Sequence, residues 1–192
     1  MRLCKRLTSG TAIVGSAFLA LGMACFAAGA RINTSRSIPV GLYWLTERPI
    51  EKGEYVLLCP PPNNVFDEAK QRGYFGAGFC PGDYAYLMKK ILAAKNDTVV
   101  LADDGVHVNG ELLPFSTPLL ADKHGRLLPV LRGEYVLGDS DLLLMTDVSP
   151  ISFDSRYYGL INRSQIKGVI RPVFTWKMEI LICDYLLQKS PT

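Results

Sequence analysis

Charge is scarce in this chain of 192 residues, at 20% of positions, and the formal net charge is only +3. Neither an acidic tail nor a polyanion-binding surface is written into such a composition. Apart from Arg2, Lys5 and Arg6 the basic residues are scattered, which argues against nucleic acid as a partner. Histidine is nearly missing: His107 and His124 are the two present, and no acidic partner is suggested for either. There is no G-x-S-x-G, no H-E-x-x-H, no P-loop and no G-x-G-x-x-G. The five cysteines include no C-x-x-C pair, so no metal and no cofactor is expected. Repeats and low-complexity tracts are absent as well. Hydrolysis without metal or histidine would need another base, and a desolvated lysine can serve.

From Leu7 to Ala30 no residue is charged, a run of 24 positions. A helix needs about 20 residues to cross the hydrocarbon core of a bilayer. The basic cluster before the run places residues 1–8 in the cytoplasm, makes 9–30 a single transmembrane anchor, and puts 31–175 outside. A cleaved secretory signal is the alternative, with Ala28-Gly29-Ala30 as an A-x-A site. Gly22 stands where a lipobox wants a Leu-like residue, so Cys25 is a poor lipoprotein site. Cys59 and Cys80 fall in the exported part, where disulfides persist. A bridge between them closes a loop of about 22 residues, worth on the order of 3 kcal/mol in the chain-entropy model. Cys183 is left as a free or buried thiol.

Beyond the anchor the punctuation indicates one mainly β domain. Residues 31–44 read as polar and then turning at Pro39 and Gly41. Runs 53–59, 84–92, 133–139 and 165–174 suit strands, and 59–83 reads as loop around a short helix near Phe66–Arg72. The clearest local signal spans 97–113: two short strands flank Asp104-Gly105, and a second turn follows at Asn109-Gly110. Residues 176–192 form a tail, and 176–188 could be a helix too short to span.

Three stretches carry unusual polar residues. Ser37 lies in NTSRSIPVGLYW (33–44), seven residues past Ala30 and so within ~25 Å of the end of the anchor. Lys89 and Lys90 interrupt the apolar run YLMKKIL. Successive strand residues face opposite sides, so one of the two points inward, where an apolar site lowers its proton affinity. An edge strand guarded by lysines would be written the same way. The third stretch, 138–161, gathers Asp139, Ser152, Asp154, Ser155 and Arg156 around turn residues.

Taken in order, these stretches resemble the S26 family of bacterial signal peptidases, and within it the TraF-like conjugative-transfer branch. The serine box corresponds to Thr34–Pro39, continued by Val40-Gly41-Leu42-Tyr43. The lysine box corresponds to Lys89–Leu92 and runs on to Asn96-Asp97. The last box appears as Gly138-Asp139-Ser140 and again as Ser152–Gly159. The resemblance covers roughly residues 5–175. It departs from the leader-peptidase pattern Ser-Met-x-Pro, here Ser-Ile-Pro, and leaves no room for the extra β domain of the large enzymes.

The resemblance implies a mainly β peptidase domain behind an N-terminal transmembrane helix, in the bacterial inner membrane with its catalytic domain in the periplasm. It implies Ser37 as nucleophile, Lys89 as general base, and the Ser37 N–H with the Ser35 hydroxyl as oxyanion hole. Ser152 would hold the Lys89 amine, Lys90 would serve structure, and Asp154, Arg156 and Asp139 would support the last box. The implied partners are membrane lipid and an exported precursor, such as the pro-pilin of a conjugation or type IV secretion system, released as a linear or a cyclic product. A general type I signal peptidase and a non-catalytic assembly factor remain as alternatives.

Overall fold

A computed structural model describes residues 2–176, with side chains from Val14 onward. The possible helix at 176–188 therefore lies, from 177 on, outside the described residues. A long helix, α1 (Arg2–Ala27), leads into β1 (Ala30–Asn33) and β2 (Gly41–Thr46). After β3 (Tyr55–Leu58) come α2 (Asn64–Gln71), β4 (Ala77–Cys80) and β5 (Leu87–Ala93). Four short strands follow: β6 (Thr98–Leu101), β7 (Val106–Val108), β8 (Glu111–Leu112) and β9 (Gly133–Val136). The chain closes with β10 (Asp141–Met145), α3 (Ser155–Tyr158), β11 (Ile161–Asn162) and β12 (Ile166–Thr175).

The expected mainly β architecture is present as two antiparallel sheets. The larger has the order β1-β2-β12-β3-β5-β10-β11, and the smaller β8-β7-β6-β9. The hairpin signal at 97–113 forms as the sequence indicates. Val99 pairs with Val108 across the Asp104-Gly105 turn. Asn109 and Gly110 both adopt positive φ, 53° and 86°, which the tight turn into β8 requires.

Two central elements escape the sequence reading. Residues 41–46 form β2, where a polar turn was expected. Gly41 starts this strand because a Cβ there would lie 2.1 Å from the Phe174 carbonyl oxygen of β12. Strand β10, DLLLM, is buried on both faces, so its apolar residues run on without alternation.

Three apolar clusters form the core. One gathers Val56, Leu58, Phe66, Tyr84 and Leu144 around the Cys59–Cys80 disulfide, whose Cα atoms are 5.4 Å apart. The expected bridge is thus formed, and it staples α2 and β4 to the end of β3. A second cluster joins the smaller sheet to β5 and β10 through Val99, Leu101, Leu143 and Met145. A third, of Ile38, Tyr43, Leu57 and Ile170, lies beneath the turn between β1 and β2.

The expected anchor is helical, and every residue from Val14 to Ala28 is exposed. Among the described residues no helix is long and apolar enough to cross a membrane.

Candidate active site

Ser37 stands on the seven-residue turn that joins Asn33 to its strand partner Gly41. Two features hold this turn. Ile38 is buried in the third cluster, fixing the backbone directly after Ser37. From the other side, the Asn33 carboxamide donates through Nδ2 to the carbonyls of Ser35 (2.8 Å), Ile38 (2.9 Å) and Pro39 (3.1 Å). Its Oδ1 accepts from the Ser35 N–H at 3.0 Å and the Ser35 hydroxyl at 2.8 Å. Asn33 is 4% exposed and was missed in the sequence; an Asn two residues before a Ser is the signal of such a turn.

Lys89 comes from β5, where it pairs with Val56 of β3. In the larger sheet β12 and β3 lie between β2 and β5. The sheet curls enough for the Lys89 Nζ to reach Ser37 Oγ, donating to it at 2.9 Å. Nζ also donates to Ser152 Oγ at 2.6 Å, and the Ser152 hydroxyl lies 3.2 Å from Ser37 Oγ. Three groups distant in sequence thus converge on one point.

The two adjacent lysines differ in environment. Lys89 is 2% exposed. Burial lowers its amine from 10.5 to about 8; the Asp154 carboxylate works against this, and the Arg156 guanidinium works with it. Lys90 points to the other face and pairs with Asp147 at 2.5 Å. Its partial burial is outweighed by that carboxylate, so its pKa is raised.

Asp154 caps α3 and makes a two-pronged ion pair with Arg156, both contacts at 2.8 Å and both residues fully buried. The remaining Arg156 protons go to the carbonyls of Phe115, Thr117, Pro150 and Ser152. The contact with Ser152 O, at 3.0 Å, fixes the backbone that carries the Ser152 hydroxyl. Ser155 Oγ accepts the Leu144 N–H at 3.0 Å, where the β5–β10 register shifts.

Two expectations are corrected. Asp139 does not support the site: it is exposed and pairs with Lys95 at 2.5 Å, because the turn before β10 faces solvent. His107 does have an acidic partner, Asp104 at 3.1 Å, in the exposed hairpin away from the three converging groups. Ser35 lines the cleft beside Ser37, but its hydroxyl is turned to the nearer acceptor on Asn33.

Ser37 and Ser152 open into a cleft of about 360 Å³. Ser149, Ile151 and Phe153 line it on the Ser152 side, and Tyr74, Leu119 and Leu128 line it as well.

The fold is the mainly β fold of signal peptidases. The chain belongs to the S26 peptidase family: residues 5–176 match the family described as "Signal peptidase, peptidase S26". It is similar to a plasmid transfer protein TraF from Escherichia coli, with 62% identity over 91% of this chain and 99% of that protein. A conjugal transfer protein TraF from Agrobacterium fabrum is 39% identical over 77% of this chain and 84% of its own length. Signal peptidase I V of Bacillus subtilis is 32% identical over 46% of this chain and 57% of its own. A crystal structure of a signal peptidase I from Enterococcus faecalis covers 65% of this chain and 98% of that one, at 16% identity and a TM-score of 0.36.

Proposed function

We propose that this chain is a membrane-anchored serine endopeptidase working through Ser37 and Lys89 on an exported precursor, the pro-pilin of a conjugation system. The observation that carries the reading is the buried Lys89 amine 2.9 Å from the Ser37 hydroxyl, with its pKa lowered to about 8. A base with a pKa this near neutrality holds an appreciable deprotonated fraction at working pH.

Neutral Lys89 takes the Ser37 proton as Oγ attacks the scissile carbonyl. The Ser37 N–H meets no acceptor among the described residues and is available to the developing oxyanion. The Ser35 hydroxyl joins it by rotating away from Asn33. Collapse of the tetrahedral intermediate breaks the C–N bond, Lys89 returns the proton to the leaving amine, and the acyl group stays on Ser37. Water then attacks the ester, giving up its proton through Lys89 to Ser37 Oγ and releasing a linear product. The precursor's own N-terminal amine in place of water gives a cyclic one. Ser152 keeps the amine aimed throughout.

The pilin substrate is supported by the likeness to the plasmid and conjugal transfer proteins. The membrane anchor is supported by the exposed, uncharged side chains of α1 from Val14 to Ala27. At its end Arg31 stacks over the Phe26 ring at 4.0 Å and donates to the Phe26 carbonyl, an arrangement suited to an interface. Likeness to signal peptidase I V supports a second reading, removal of signal peptides from many precursors.

Ser37→Ala and Lys89→Ala, expressed in cells carrying the pilin precursor, test the proposal by the precursor's mass. Both variants are expected to accumulate it uncut while wild type processes it. Wild-type processing by either variant would remove that residue from the mechanism. Uncut secretory precursors in place of uncut pilin would favour the general signal peptidase.

A further inference from the structure

The cleft beside Ser37 has a wall that the catalytic reading leaves unexplained. Tyr74 follows α2, and Asp122, Lys123 and Leu128 come from the loop between β8 and β9. That loop is tied down through Asp122, which accepts from the Tyr74 hydroxyl (2.7 Å), from Arg126 Nε (2.7 Å) and from the backbone N–H groups of His124 and Arg126. Arg126 also donates to the Arg72 carbonyl, and Arg72 to that of Leu127. The wall is thus fixed in shape before any ligand arrives.

Its charge is unbalanced. Partial burial raises the Asp122 carboxyl, but the donors from Tyr74 and Arg126 outweigh it and hold the group far below the usual carboxylate range. With Arg126 as its ion-pair partner, Asp122 is already saturated. The cleft's two other charged lining residues, Arg36 directly before Ser37 and Lys123 on the wall, make no ion pair among the described residues. Two cations therefore share the cleft without a counter-charge.

We propose that Arg36 and Lys123 form a carboxylate-recognition subsite, so that the peptide segment lying in this cleft carries an acidic side chain or a free chain-terminal carboxylate. This names the substrate class for the site read above as a peptidase. Arg36 lies on the nucleophile's own turn and Lys123 on the wall, so an anion held by both would fix how far the peptide enters. Apolar surface from Leu119, Ile151 and Phe153 takes the neighbouring side chains.

The test measures binding without turnover, using the full-length Ser37→Ala chain in detergent and fluorescein-labelled twelve-residue peptides rich in alanine. Three probes are compared by anisotropy: one internal Glu with an amidated C-terminus, Gln in its place with a free C-terminus, and Gln with an amidated C-terminus. One of the two carboxylate probes is expected to bind about three- to tenfold tighter than the neutral one, weakening as salt is raised. Which one does so identifies the source of the carboxylate. Adding Lys123→Glu or Arg36→Glu abolishes the preference, whereas Lys167→Glu, the same charge change outside the cleft, preserves it. Equal binding of all three probes, no binding of any, or an equal loss with Lys167→Glu overturns the subsite. These results leave the Ser37 and Lys89 chemistry untouched, since that is read by precursor mass.

Discussion

Lys89 and Lys90 adjoin in the chain, yet only Lys90 has a carboxylate beside it. Lys89 meets two neutral hydroxyls, and its folded pKa of about 8 sits below the unfolded value of about 10.4. Between those values the unfolded chain binds a proton that the folded chain does not, so stability rises with pH across the window and is lost as pH falls through it. The value of kcat/KM should rise through about pH 8 and level off above it. Lys89→Met should be inactive and, at pH 7, melt about 3–6 °C higher than wild type, with that advantage shrinking as pH rises from about 8 to 10. Scanning calorimetry at pH 7 and pH 10 decides it; a lower melting point for the variant at pH 7 would mean that the buried amine is not a burden on the fold.

At the scale of elements, the turn bearing Ser37 depends on what leads into it. Asn33 closes the last residue of β1 over five turn contacts, and Ile38 plugs the far side. Asn33→Ala should lower kcat by about 10- to 100-fold with KM little changed, because it loosens the attack geometry while leaving the cleft wall alone. Asn33→Asp should be worse than alanine, since it aims a carboxylate at three carbonyl oxygens. A Gly41→Ala chain with full activity would contradict the close approach of β2 and β12. Ser37, Lys89 and Ser152 were legible through the resemblance of their stretches to the S26 boxes; the residues alone said only that one of Lys89 and Lys90 points inward, and gave Ser152 no role. The hairpin from β6 to β8 was legible because its turns are spelled by Asp-Gly and Asn-Gly. β2 and β10 were not, since one hides behind a Pro and a Gly and the other shows no period. Asp139 misled because an Asp in a Gly-flanked turn looks the same whether it faces solvent or a site.

For the molecule as a whole, α1 stands apart: its side chains from Val14 to the end are exposed, and the core clusters lie entirely beyond it. Removing residues 1–28 should leave the circular dichroism of the β domain intact and the cleavage of a short soluble peptide within about threefold, as expected when no buried contact is lost. The same truncation should stop processing of the membrane-bound precursor in cells, since local concentration at the bilayer is then lost. A truncated domain that fails to fold would show that α1 is part of the core. The Cys59–Cys80 bridge divides the molecule in another way. Ser37, Lys89 and Ser152 all lie outside the loop it closes, while α2 and Tyr74 lie within it. Opening the bridge should therefore leave Lys89 on its strand and both serines on their turns while slackening the wall that meets the peptide. On the proposed reading, an oxidising surrounding should govern which peptide is held, separately from whether it is cut.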